Sequence, residues 1–133
     1  MEKEIIIDGR NAVLGRVASY AAKQALQGNN VVVVNSEDII ITGRKEDIKK
    51  KFIAKRGRVG STQQGPKHSQ LPERIVKRSI RGMLPDHRRG RGKAALQKIR
   101  CYQKIPKEYE GKKMITLEKE INVKFMKVDE LRR

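Results

Sequence analysis

The 133-residue sequence has no tryptophan, only two phenylalanines and three tyrosines, too few aromatics for a sheet that stacks successive bases of a single strand. A single cysteine excludes an internal disulfide, and with two histidines there is no Cys/His cluster to hold zinc. No apolar run approaches the roughly 18 residues that cross a bilayer. The N-terminus, Met-Glu-Lys-Glu before three isoleucines, lacks the basic region and long apolar stretch of a signal peptide, so a soluble intracellular protein is expected. Carboxylates are scarce too, 15 Asp plus Glu against 32 Lys plus Arg, for a formal net charge of +17. What is present is aliphatic. Leu, Ile, Val and Phe together number 33, about a quarter of the chain and more than a disordered polycation carries. One small domain over residues 1–133 is expected.

The charge is unevenly spread. Residues 1–43 hold 4 cations and 5 carboxylates, residues 44–104 hold 20 and 4, and residues 105–133 hold 8 and 6. Nearly all the excess lies in the middle segment, where it repels itself unless an anion neutralises it. Solubility alone needs far less charge. No basic amphipathic stretch sets Trp, Phe or Leu against its cations as a membrane-surface helix does. A nucleic acid is the expected partner.

Periodicity organises the flanks of that segment. Ile5-Ile6-Ile7 reads as a strand buried on both faces. Leu14, Val17, Ala18, Ala21, Ala22, Ala25 and Leu26 form one helical stripe, stopped by Gly28. Val31 to Val34 read as a second buried strand, so the three make a right-handed βαβ unit with parallel pairing. Ile39-Ile40-Ile41 is a third apolar run. Lys45 to Arg56 suits a helix with Ile48, Phe52 and Ile53 on one side. Residues 57–71 read as a long loop, of the kind that is usually functional. Pro72 suits the first position of a helix that buries Ile75, Val76, Ile80, Met83 and Leu84, turns Arg74, Lys77, Arg78 and Arg81 outward, and ends at Pro85. An irregular basic stretch over residues 85–93 then leads to a short helix near Ala94 and a strand from Ile99. Residues 114–126 fit strand or helix equally.

Catalytic constellations are missing. The segment from Gly9 to Gly15 places five residues between its glycines and Arg16-Val17 after them, where a phosphate-binding loop needs four and then Lys-Ser or Lys-Thr. A tight strand-to-helix turn explains both glycines. His68 and His87 both lie in basic loops and are not expected to act as catalytic bases, Cys101 falls in an apolar strand pattern, and the four central carboxylates form no acid/base pair. No cofactor and no metal is expected. The interleaved cations and glycines are the positive signal, because glycine lets backbone approach a phosphodiester and arginine's fork holds two phosphate oxygens. The candidate contacts are Arg44, Lys45, Lys55, Arg56, Arg58, Lys67, His68, Arg81, Arg88, Arg89, Arg91 and Lys93. With no helix-turn-helix and no dimerising heptad, recognition of structured RNA by shape and phosphates is expected rather than readout of a DNA groove.

Three blocks resemble the large-subunit ribosomal protein thirteen family. They are Asp8-Gly9 with Leu14-Gly15-Arg16-Val17-Ala18-Ser19; Val34-Asn35 with Ile41-Thr42-Gly43-Arg44-Lys45; and Pro72-Glu73-Arg74 with Ser79-Ile80-Arg81-Gly82-Met83-Leu84-Pro85, continuing to Cys101-Tyr102. They occur in family order over roughly residues 5–106. The short N-terminus, the short connection from Gly28 to Val31 and Gly65-Pro66-Lys67-His68 are similar to archaeal and eukaryotic members. The resemblance implies an α/β fold, a three-layer α/β/α domain around a mainly parallel four-stranded sheet. It also implies a non-catalytic, structural role in the cytoplasmic ribosome: binding large-subunit rRNA early in assembly, beside neighbouring large-subunit proteins. The Thr42–Lys45 turn, the 55–68 loop and the 81–93 segment correspond to the family's rRNA-facing side. After Tyr102 many members carry a glycine within two residues, where this chain has Gln103-Lys104, and the resemblance is weak after Pro106. Two other readings use the same basic surface: a free regulatory RNA-binding protein, and an RNA-processing enzyme on a Rossmann-like sheet, the latter lacking its carboxylates or phosphate loop.

Overall fold

The computed structural model describes residues 3–57, 69–118 and 121–132. Strand β1 (Glu4–Asp8) and strand β2 (Asn30–Val34) pair in parallel with Ile5 opposite Val31 and Ile7 opposite Val33. Helix α1 (Leu14–Leu26) joins them. Its buried residues are Val17 and four alanines, and such short side chains let its backbone lie close to the sheet. The expected βαβ unit is therefore present.

The third apolar run takes a different place. Strand β3 (Ile40–Thr42) stays out of the main sheet and pairs antiparallel with β6 (Phe125–Lys127). The main sheet is completed instead by β4 (Ile99–Cys101) beside β2 and by β5 (Ile115–Thr116) beside β1. The order is β4-β2-β1-β5 with all pairs parallel. Period-2 alternation divides the side chains of this sheet between two faces. Ile7, Val31, Val33 and Ile99 join the alanine stripe of α1 together with Val76 and Ile80 of helix α3 (Pro72–Gly82) and Ala95 of helix α4 (Gly90–Gln97). Ile6, Val32 and Val34 form a separate core with Tyr109, which sits in the 3-10 turn Lys107–Tyr109. Tyr102 and Tyr109 meet there at 5.9 Å between ring centroids. Burying a side chain such as Ile80, which has no exposed surface, contributes about 1.5–3 kcal/mol.

Helix α2 (Lys45–Arg56) differs from the other three in having no buried residue. Ile48 and Phe52, four apart on one face, are half-buried. Ile53 turns away and is 66% exposed, against expectation, because the next residue lies about 100° around the helix. Met83 is likewise exposed rather than buried, since α3 ends at Gly82 and Met83 is its C-terminal cap. The ambiguous 114–126 segment gives β5 and the start of β6, with no helix among its described residues. Met126 of β6 is buried, as are Val128 and Leu131 in the 3-10 segment Val128–Arg132.

Polar groups knot the carboxyl ends of the strands. The buried Asp8 carboxylate accepts from Asn35 Nδ2 at 2.9 Å and from the Arg10 backbone N–H at 3.0 Å. Asn35 N–H donates to the Lys104 carbonyl at 3.0 Å. Lys104 adopts a left-handed φ of 54°. Its N–H donates to the Glu37 carboxylate at 3.0 and 3.1 Å, which holds the turn against the steric penalty of a non-glycine residue. In thermal and denaturant unfolding, Lys104→Gly is expected to stay within about 0.5 kcal/mol of the unaltered chain, as relief of strain offsets added unfolded-state freedom. Lys104→Val, β-branched, is expected to lose about 1–2 kcal/mol.

Candidate nucleic-acid interface

Helix α2 is launched by Gly43, whose φ of 128° suits only a residue without Cβ and whose N–H donates to the Lys124 carbonyl at 2.8 Å. Glu46 and Asp47 occupy its first turn, Lys55 and Arg56 its last, both favourable to the helix dipole. The Lys45 ammonium lies 2.8 Å from Glu130. That hydrogen bond, assisted by the Lys127 backbone N–H, holds the Glu130 carboxyl below the usual carboxylate range although partial burial opposes it. Lys45 is thus engaged by the chain's own carboxylate and, ten residues or about 15 Å along the helix axis, is well separated from Lys55. Arg44 and Arg56 are exposed.

Helix α3 is divided lengthwise. Val76 and Ile80 face the core, while Arg74, Lys77, Arg78 and Arg81 recur at steps of three, one and three, which places them in one stripe. Between that stripe and α2 runs an open groove of about 660 Å³. Its cationic lining is Lys55 from α2 and those four residues from α3. Phe52, Ile75 and Leu96 supply apolar lining, Ser69 and Ser79 supply hydroxyls, and among the described residues no carboxylate lines it. Of the sequence-derived candidates the groove gathers Lys55 and Arg81. Arg74, Lys77 and Arg78 also line it and are not among those candidates, although their helical spacing is visible in the sequence. A stripe facing a ligand and a stripe facing water have the same sequence pattern, and only the placement of α2 tells them apart.

The second basic stretch is more regular than expected. Helix α4 begins at Gly90, so Arg91 and Lys93 are helical and only the turn at residues 86–89 is irregular. Asp86 organises that turn, accepting from the Arg88 backbone N–H at 3.1 Å and pairing with Arg89 Nε at 3.4 Å. Both side chains of the Arg89 pair are largely exposed, so the pair is weak. Arg88, Arg89, Arg91 and Lys93 are all exposed. Gly92 is buried, and a Cβ there would stand 2.2 Å from the Pro85 carbonyl oxygen and 2.4 Å from that of Asp86. The close approach that only glycine permits is what carries the Arg88-Arg89 turn on α4. Arg58, Lys67 and His68 lie outside the described residues.

Other chemistry finds no support in these positions. Burial pushes the Cys101 thiol up to about 12, with Lys77 opposing only in part, so it is protonated at neutral pH and a poor nucleophile. Among the described residues no group of three His, Cys, Asp or Glu is placed to hold a metal, and no helix is long and apolar enough to cross a membrane.

The family model for ribosomal protein L13 matches residues 2–108. The chain belongs to that family. It is similar to the large ribosomal subunit protein uL13 of Natronomonas pharaonis, 40% identical over 131 residues that make up 98% of this chain and 89% of that protein. The uL13 of Haloarcula marismortui is 39% identical over 132 residues, again 98% and 89%. Similarity extends to an animal, with the Caenorhabditis elegans uL13 41% identical over 116 residues, 85% of this chain and 56% of the longer animal protein. The family match stops near the point where resemblance weakened in the sequence, but the two archaeal alignments run through the C-terminal segment that pairs with β3.

Gly92→Ala is expected to lower stability by about 1–3 kcal/mol, as overpacking against backbone does. Thermal unfolding beside the exposed-site variant Arg91→Ala, expected to be near neutral, checks this.

Proposed function

We propose that this member of the ribosomal protein L13 family is a structural, non-catalytic constituent of the large ribosomal subunit. It binds the subunit's rRNA through its basic half and helps the subunit assemble early, beside neighbouring large-subunit proteins. The observation that carries the reading is the gathering of cations on α2, α3 and the 86–93 segment, away from the aliphatic core. Among the described residues, five of them and no carboxylate line one groove. Such a surface suits the phosphates of a folded RNA, which fix register and orientation without reading sequence. Arg44, Lys55, Arg56, Arg81, Arg88, Arg89, Arg91 and Lys93 are the proposed phosphate contacts, joined by Arg74, Lys77 and Arg78 of the groove. Arg58, Lys67 and His68 belong to the same proposal on sequence grounds alone. Lys45 enters it only if RNA displaces Glu130.

With six to ten phosphates engaged, the logarithm of affinity for a large-subunit rRNA fragment falls with the logarithm of salt at a slope of about −5 to −9. In a filter-binding titration, Arg88→Ala combined with Arg89→Ala is expected to weaken binding and make the slope shallower by roughly 2. The thermal midpoint should stay unchanged, because both side chains are exposed. A salt-independent affinity in the unaltered chain contradicts phosphate binding; a lowered midpoint in the variant assigns these arginines to the fold instead.

A further inference from the structure

A surface that only neutralises phosphates needs cations and water. The groove between α2 and α3 also has an apolar floor, and one part of that floor is aromatic. Phe52 of α2 lines it together with Ile75 of α3, Leu96 of α4 and the cations Lys55, Arg74 and Arg81. The other aromatics among the described residues are elsewhere: Tyr102 and Tyr109 pack on each other beneath the opposite sheet face, Tyr20 lies against the main core, and Phe125 is on β6. A half-buried aromatic side chain that shares a groove with cations complements the two chemistries of a nucleotide, a flat apolar base and an anionic phosphate.

We infer that this groove seats a single unpaired nucleotide of the bound RNA, its base against Phe52 and its phosphates on the α3 cations. The inference rests on the RNA-binding reading and adds to it a base-stacking site that composition argued against, since one pocket needs one aromatic where a platform needs several. A duplex keeps its bases stacked on one another and presents only phosphates and groove edges, so the floor selects an unstacked base. The lining side chains offer donors from lysine and arginine, and the Ser79 hydroxyl is already directed to the Ile75 carbonyl at 3.2 Å. Among the described residues no carboxylate or amide side chain lines the groove to accept from a base edge. Stacking therefore dominates and the site is tolerant of base identity. Occupation also supplies α2 with the apolar cover that its own sequence leaves out, since the helix buries no residue by itself.

The test is fluorescence anisotropy of the full chain with labelled oligouridylate and, separately, with a labelled blunt RNA duplex. Phe52→Ala is expected to weaken the single strand about tenfold and the duplex by less than about twofold, with Phe52→Tyr near the unaltered chain for both. Equal losses for strand and duplex, or none for the strand, overturn the inference while leaving duplex binding to support the phosphate reading. Binding of neither RNA by the unaltered chain overturns both. Should Phe52→Ala misfold, photocrosslinking of 4-thiouridine RNA to the unaltered chain decides: crosslinks at Phe52 or within residues 74–82 support the inference, and crosslinks confined to other segments overturn it. Displacement of oligouridylate by polyglutamate at equal charge concentration identifies an acidic peptide groove and likewise overturns it.

Discussion

Like-charge repulsion is the constraint around which this small protein is arranged. Twenty cations and four carboxylates fall between residues 44 and 104, and a body of this size has no room to separate them beyond mutual influence at low ionic strength. The chain folds because the driving force comes from elsewhere. The β1-α1-β2 unit, close to neutral in charge, brings together Ile7, Val17, Val31, Val33 and the α1 alanines. Helices α3 and α4 contribute a few fully buried residues to it, and keep their charges on the far side. Helix α2 is the extreme case, half cationic and buried nowhere, secured at its start by the Gly43 turn and the Lys45–Glu130 pair.

That division accounts for how the fold serves a polyanion. The core shared with the sheet and α1 seats α3 through Val76 and Ile80, α3 fixes the spacing of Arg74, Lys77, Arg78 and Arg81, and Gly92 fixes the approach of α4 and hence of the Arg88-Arg89 turn. The C-terminal segment, though outside the family match, completes the arrangement. Its β6 strand pairs with β3, its Met126, Val128 and Leu131 are buried, and its Glu130 holds the N-terminus of α2. Lys45 pairs with Glu130 and Arg89 with Asp86, but 20 cations against 4 carboxylates between residues 44 and 104 leave an excess that an RNA would relieve on binding.

The parts legible in the sequence were those with a clean period and one burial partner. Ile5-Ile6-Ile7, the stripe from Val17 to Ala25 and Val31 to Val34 could hardly form anything but βαβ, and family blocks around Gly43 and Arg81 marked the basic side. Other features depended on tertiary placement. Ile39-Ile40-Ile41 reads as a buried strand whichever sheet it joins, and only the pairing of distant Met126 with Ile41 decides that. Gly90 and Gly92 have poor helix propensity, yet they begin α4 because Gly92 alone can pack on the Pro85 carbonyl. Lys104 takes a conformation that glycine would signal, with Glu37 compensating. The groove itself needed Phe52 and Leu96 brought to α3 from residues tens of positions away, so its cations looked like an ordinary solvated face. Arg58, Lys67 and His68 lie outside the described residues.

The central claim, that the free protein folds against its own charge, has a direct test. Thermal unfolding of the RNA-free chain is followed from about 10 mM to about 0.3 M sodium chloride, over which the screening length falls from roughly 30 Å to below 8 Å. The account predicts that the midpoint rises steadily with salt, and rises further at equal ionic strength in phosphate, an anion the arginine surface can bind. A midpoint that is flat or falls across that range would mean that the cations are not a burden on the fold and that the electrostatic argument is wrong.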